Sequence, residues 1–554
     1  MTAAETCRLE TFFGCLDSAA VQRDVLLRRV VWPNAQCEYG RKHDFGRIKS
    51  VQDFQQAVPL QRYDDFRPAI ERMAHGESGV LVCEPVRRFF VTSGSSADPK
   101  HVPVTGSFIK DKWRAFQTYW GMVRDCHPDV GQGSIITNFS DGGREERTAG
   151  GLPCGSESSF WNAWGNGTLN TAGKGTGLPR ELYRIRDASA RYYAVARVLL
   201  EQDVTVLMAL NPSTLVLLLD TLNDRSESLL RDVEQGGVTE EFDIDADVAS
   251  KLLATYPANS SRSCELAALR QSESPRLPPW RVWRNLQLVI CWRSPMVQPY
   301  LERLKQHLGA IRQRDYLLMA SEGVIAIPFE DDVSGGAVAT GIHFYEFIPE
   351  ELADGQDPPT LLAHELSPGS NYVVVLSNSA GLYRYNIGDV VRVTGFVGTT
   401  PVLEFLYRSG HTCSLTGEKL TEDQVACSVY QAASRQGLQL QGFTFCPAHR
   451  PFPHYGLVAE FDRTPSRGEL SSFIAEVERE LSSRNLEYKA KRESRRLGAP
   501  ELLVAARGCY AALRQRRIAS GTSDAQVKIA CLTRDVTFRD SFQIVERLPC
   551  ASTA

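Results

Sequence analysis

The sequence predicts an α/β fold: a large N-terminal α/β domain with a β-rich subdomain, followed by a smaller C-terminal α+β domain. Three observations predict it. Short apolar strands run into amphipathic helices at 204–222 and 286–308, which is the strand-helix alternation of a largely parallel sheet. Strands without intervening helices fill 325–410. A helix-start signature at Thr421 then opens a new block of a size common for one domain.

Composition bounds the function. At 554 residues the chain is too long for one core, and 43% hydrophobic with 23% charged residues is ordinary for a globular protein. The formal net charge of −4 comes from interspersed charges, so neither nucleic acid nor an anionic membrane is expected as partner, and small molecules are. No apolar run reaches the roughly 18 residues of a membrane span, and "MTAAETCRLETFFGCLDSAA" lacks the basic start and apolar block of a secretory signal. A cytoplasmic protein is expected. The 14 cysteines are scattered with no C-x-x-C pair, so neither a zinc site nor a disulfide framework is indicated.

The elements follow in order. Residues 20–80 read as mostly helical, with an apolar stripe in "VQRDVLLRRVVW". The Gly-rich, aromatic-bearing segment 131–178 reads as a long surface excursion. "VTVLMAL" is a strand that ends in Asn211-Pro212, the N-cap and first position of a helix. "LQLVICW" repeats the unit: its helix lines Val297, Tyr300, Leu301, Leu304 and Leu308 on one face and stops at Gly309. "IHFYEFIP", "NYVVVLS", "GLYRY" and "DVVRVTGF" read as four strands of the β-rich part. Thr421 to Gln424 forms a capping box for a helix ending at Gly437; "LQLQGFTF", "YGLVAEFD", two helices and "ELLVAA" complete the small domain. The expected division is 1–407, a junction at 408–412, and 413–554.

Chemistry concentrates in "FFVTSGSSADPKHVPVT". A loop that holds phosphates needs free backbone N–H groups, hydroxyls and often a lysine, and Thr92, Ser93, Gly94, Ser95, Ser96 and Lys100 supply them. The Walker pattern G-x-x-x-x-G-K-[ST] is absent, which excludes the common P-loop. Downstream, "MASEG" sets Glu322 after a strand-like run and "YRYNIGDVVRV" sets Asp389 between two others. A carboxylate such as Glu322 suits Mg²⁺ shared with phosphates, and Asp389 suits ribose hydroxyls; taken singly, each is better read as a turn carboxylate. Lys528, in "GTSDAQVKIACL", is on its own an ordinary surface lysine.

Thr92 to Lys100 resembles the [ST]-S-G-[ST]-[ST]-G-x-P-K loop of adenylate-forming enzymes. "EYGRKHDFGRI", "DFRPAIERMAHGES", "NPSTL", "FYEFIP", "YRYNIGDVVRVTGF", "LTGEKLTEDQV" and "GTSDAQVK" resemble, in the same order, the Gretchen Hagen family of acyl acid amido synthetases. The resemblance implies an ATP- and Mg²⁺-dependent ligase acting as a monomer on a small carboxylic acid and an amine or amino acid. It implies that Thr92, Ser93, Gly94, Ser95, Ser96 and Lys100 hold the phosphates, with Ser321 and Tyr385 also at the nucleotide. Glu322 would serve Mg²⁺ and phosphate, Asp389 the ribose, Arg408 the junction and the ribose, and Lys528 the α-phosphate as the principal catalytic group. Asn211 and Tyr345 are candidates for the acyl pocket. Ala97 stands where the family loop has glycine, and Gly410 where many superfamily members carry a hinge Asp or Lys. Two other readings remain: a thioester-forming ligase such as an acyl-CoA synthetase, which would share the adenylation step, and a non-catalytic acyl- or nucleotide-binding relative.

Overall fold

The computed structural model describes Phe12, Gly14 and residues 19–549, apart from 93–99, 138–145, 158–159, 162–177, 186, 239–241, 274–275, 295–296, 354, 409–412, 417, 419, 450–452, 495, 520–526 and 528. By packing, the chain divides into two units, 1–387 with 392–404, and 388–391 with 405–554.

The first unit begins with helices, as the apolar stripe predicts, and then builds two small sheets. Val86–Thr92 (β1) pairs antiparallel with Lys100–Thr105 (β2), and Thr105 caps the long helix Gly106–Cys126 by accepting from Phe108 N. Ser134–Thr137 (β3) leaves that helix for a parallel sheet, while Glu146–Arg147 (β4) and Pro153–Gly155 (β5) return to β1. Val204–Met208 (β6), Leu288–Cys291 (β7) and Arg312–Asp315 (β8) complete the parallel sheet in the order β3-β6-β7-β8. Its central strands are buried and mainly apolar because helices enclose them, as parallel sheets require. Asn211 caps the helix Pro212–Asp224 through Ser213 N at 3.0 Å, and Gly309, at φ 61°, ends the helix Gln298–Leu308.

The segment 131–178 differs from the expected excursion. It supplies β3, β4 and β5, because "SIIT" and "PCG" find strands to pair with despite the Gly-rich sequence around them.

Leu318–Ala320 (β9), Gly323–Ile327 (β10), Gly336–Val338 (β11), Phe344–Pro349 (β12), Asn371–Ser377 (β13), Tyr385–Val397 (β14) and Thr400–Arg408 (β15) form a seven-stranded sheet in the order β12-β13-β14-β15-β11-β10-β9. Here the expectation of separate strands at "GLYRY" and "DVVRVTGF" fails. Gly381 (φ 96°) and Arg384 (φ 46°) turn the chain, and one strand of 13 residues starts at Tyr385. A non-glycine residue is held in this region only by its surroundings. The Arg384 guanidinium meets the buried carboxylate of Glu346 at 3.0 Å and donates to the carbonyls of Gln55 and Val58.

The second unit centres on Leu440–Ala448 (β16), His454–Phe461 (β17), Glu501–Ala505 (β18) and Ile544–Pro549 (β19), in that order across one sheet. Helices Glu422–Arg435 and Arg467–Arg484 each start with a capping box, at Thr421 and Ser466. Their apolar faces share one core with β16, β17 and β18. The helix Cys509–Ala519 and β19 are additions to the predicted set. No described helix is long and apolar enough to cross a membrane.

Candidate active site

Glu322 sits at the tip of a hairpin. Ala320 ends β9 and pairs with Gly323 at the start of β10, so Ser321 and Glu322 are the whole connection. Neither takes a left-handed φ, so the turn is not one of the primed types that match strand twist on their own. Side chains from elsewhere hold it. Asn378 Nδ2 donates to the Glu322 carbonyl at 2.7 Å, while its Oδ1 accepts from Ala380 N and Leu382 N. Lys112 Nζ donates to the Ala320 carbonyl at 2.7 Å. His343 packs its ring under Gly323 so closely that a Cβ there would meet it at 2.9 Å. The Glu322 carboxylate is buried and accepts from the Tyr385 hydroxyl at 3.2 Å.

A second group converges on the same place. Gln61 bridges Tyr385 through backbone hydrogen bonds, from Gln61 N to the Arg384 carbonyl and from Asn386 N to the Gln61 carbonyl. This brings Tyr63, at the start of the helix Tyr63–Ala74, beside β2. The Tyr63 hydroxyl accepts from His101 N at 2.7 Å and donates to its carbonyl at 3.1 Å; the Lys100 ammonium lies 5.1 Å from the Tyr63 ring centroid. Burial pushes the Tyr63 phenol up, and the Glu322 charge adds to that. Lys100 is thus fixed by an aromatic face at the exit of the β1–β2 hairpin, where Thr92 pairs with it. Ser93, Gly94, Ser95 and Ser96 lie in the connection 93–99, outside the described residues.

Other sequence-predicted residues are distributed as follows. Asp389 is buried and accepts from Arg408 Nε at 2.8 Å. Asn211 has its side-chain oxygen engaged as a helix cap. Tyr345 is fully buried, and its hydroxyl donates to the Val324 carbonyl at 2.5 Å, so it packs the sheet under the Glu322 hairpin. Lys528 lies outside the described residues, but Ala530 to Thr533 just after it are tied to β16: Phe445 N donates to the Cys531 carbonyl and Thr533 N to that of Phe445. Glu422, in the first turn of its helix, also accepts from Cys531 N. In the "LTGEKL" stretch, burial pushes the Glu418 carboxyl up, but the Tyr455 hydroxyl and the N–H groups of Leu415 and Thr416 outweigh it, so the carboxyl stays below its ordinary range.

Sequence reasoning passes over Tyr63, Asn378 and Lys112. For Lys112 there was a signal: it follows Phe108 by four residues and precedes Phe116 by four, on the buried face of its helix. Among the described residues no cluster of three or more His, Cys, Asp or Glu is arranged to hold a metal. A single buried carboxylate with one protein donor fits an ion that arrives with a triphosphate, because Mg²⁺ takes one or two carboxylates plus phosphate oxygens.

The fold is that of a solved acyl acid amido synthetase: its coordinates match those of "AtGH3.15 acyl acid amido synthetase in complex with 2,4-DB" with a TM-score of 0.85, at 21% identity, over 99% of this chain and 97% of that one. The description "GH3 family N-terminal domain" matches residues 14–312, "GH3 family central domain" 336–408 and "GH3 family C-terminal domain" 423–537. Among relatives, the chain is 25% identical to jasmonoyl–L-amino acid synthetase JAR6 of Nicotiana attenuata over 94% of this chain and 92% of that one. It is 23% identical to indole-3-acetic acid-amido synthetase GH3.4 of Arabidopsis thaliana over 92% of this chain and 88% of that one. The chain belongs to the GH3 family. It is an ATP-dependent, amide-forming ligase of the acyl acid amido synthetase type.

Proposed function

We propose that this enzyme activates a small carboxylic acid at the hairpin tip of Glu322 and passes the acyl group to an amino acid or other amine. A carboxylate oxygen of the acid bonds to the α-phosphorus of ATP and pyrophosphate leaves. The amine nitrogen then bonds to the acyl carbon, AMP leaves, and the amine proton goes to solvent. Two anions must be brought together while charge grows on the α-phosphate, so the protein's task is positioning and electrostatic stabilisation.

The observation that carries this reading is the convergence of Lys100, Tyr63, Tyr385 and Glu322, from four separate stretches of chain, beside the β1–β2 connection. When bound, Mg²⁺ would neutralise phosphate charge there, with Glu322 as its protein ligand. Thr92, Ser93, Gly94, Ser95, Ser96 and Lys100 hold the phosphates in this reading, with Ser321 and Tyr385 beside them. Asp389 receives the ribose, steadied by Arg408. Lys528 meets the α-phosphate as its charge develops, and the small domain turns about 408–412 between half-reactions. The reading takes the enzyme to work as a cytoplasmic monomer.

Lys528→Ala tests the assignment of the catalytic group. Acid-dependent pyrophosphate release should fall by roughly 10²- to 10³-fold, the loss typical when one charge-stabilising group is removed, while the Kd for ATP changes less than about threefold. Pyrophosphate release at the wild-type rate would remove Lys528 from the mechanism.

A further inference from the structure

We propose that Lys112, held by Glu157, is a positioning residue that sets the Glu322 turn for Mg·ATP. The inference rests on the reading of Glu322 as the protein ligand to the ion.

The Lys112 side chain is fully buried on a helix face otherwise made of Phe108, Phe116 and Tyr119. Its ammonium lies 5.3 Å from the Phe108 ring centroid and 5.6 Å from that of Phe90. Nζ has three hydrogens, and the protein directs two: one to Glu157 Oε1 at 2.5 Å, the other to the Ala320 carbonyl at 2.7 Å. Removing an ammonium from water is expensive, and an apolar side chain would fill the same space at lower cost. Stability therefore does not account for a lysine here; the geometry it imposes does.

That geometry acts on one carbonyl. Ala320 is the last residue before Ser321 and Glu322, in a turn whose own backbone does not fix it. Asn378 pins the far side through the Glu322 carbonyl, and Lys112 pins the near side. With both in place the turn has one path, and the Glu322 carboxylate stays on Tyr385. Glu157 fixes the lysine in turn. The same carboxylate oxygen accepts from Trp161 Nε1 at 2.9 Å, and Trp161 packs on Phe116 and stacks on Trp113, so neither partner of the ion pair can swing away easily.

The test is calorimetric binding of the non-reacting analogue α,β-methylene-ATP, with Mg²⁺ and with EDTA, to wild type, Lys112→Met, Glu322→Gln and the double variant Lys112→Met/Glu157→Gln. Lys112→Met should weaken binding about 10- to 100-fold in Mg²⁺, as loss of a metal site's outer support does, and less than about twofold in EDTA. Glu322→Gln should do the same. The double variant, which leaves no unpaired buried carboxylate, should keep the Mg²⁺-specific loss and serves in place of the single variant if that one does not fold. If Glu322→Gln shows the loss while a folded Lys112 variant binds as wild type, the positioning role is overturned. If Glu322→Gln itself binds as wild type in Mg²⁺, the metal reading falls, and the inference with it.

Discussion

His343 is fully buried against Phe108, and neither ring nitrogen has a hydrogen-bond partner among the described residues. Burial pushes its imidazole down to about 3, and the positive charges of Lys112, Arg29 and Arg114 act the same way. An unfolded histidine takes up its proton near pH 6.5, the folded one only near 3, so between these values the unfolded state holds more protons. Stability therefore falls as pH drops through this window, with a slope of up to about 1.4 kcal/mol per pH unit from this group. His343→Leu, close in volume, should reduce the stability lost between pH 6.5 and 5 by roughly 2 kcal/mol, read by urea denaturation at the two pH values. An unchanged loss would show that His343 is protonated in the folded state. Glu322 stands out in the sequence because it follows a strand-like run, whereas Asp389, expected between two strands, lies inside β14. Lys112 and His343 do not stand out, because what covers them comes from Glu157, Ala320 and Gly323, which sequence spacing does not bring near.

Helices and their ends were legible because their signals are local. Asn211, Gly309 and Thr421 act on backbone groups two to four residues away, so the sequence carries the whole interaction. The start of β14 is the opposite case. "GLYRY" alternates like a strand, yet Arg384 is held at a left-handed φ by Glu346, Gln55 and Val58, none of them local. This guanidinium joins the helix Val51–Ala57 to β12 and sets where β14 begins. Arg384→Ala should cost about 3–5 kcal/mol in chemical denaturation, since it strands the buried Glu346 carboxylate. Pairing it with Glu346→Leu should recover most of that. A single variant within about 1 kcal/mol of wild type would mean that the ion pair does not fix this corner. In 131–178, the Gly-rich and polar composition hid three short strands, because a strand of two to four residues is stabilised only by its neighbours.

At the scale of the whole molecule, the order of motifs along the chain carried the family, and the match over 14–312, 336–408 and 423–537 agrees with it. No local feature identifies the acid or the amine, because an acyl pocket is assembled from side chains distant in sequence. The relatives that act on jasmonate and indole-3-acetate share only a quarter of their residues with this chain. What the chain commits to is the bond it makes. The most direct test is mass spectrometry of products formed by the purified enzyme with ATP, Mg²⁺ and a panel of carboxylic acids, offered amino acids in one set and CoA in the other. The account predicts an N-acyl amino acid, with one AMP and one pyrophosphate for each amide formed. A CoA thioester as the sole acyl product, or ADP and phosphate in place of AMP and pyrophosphate, would contradict it.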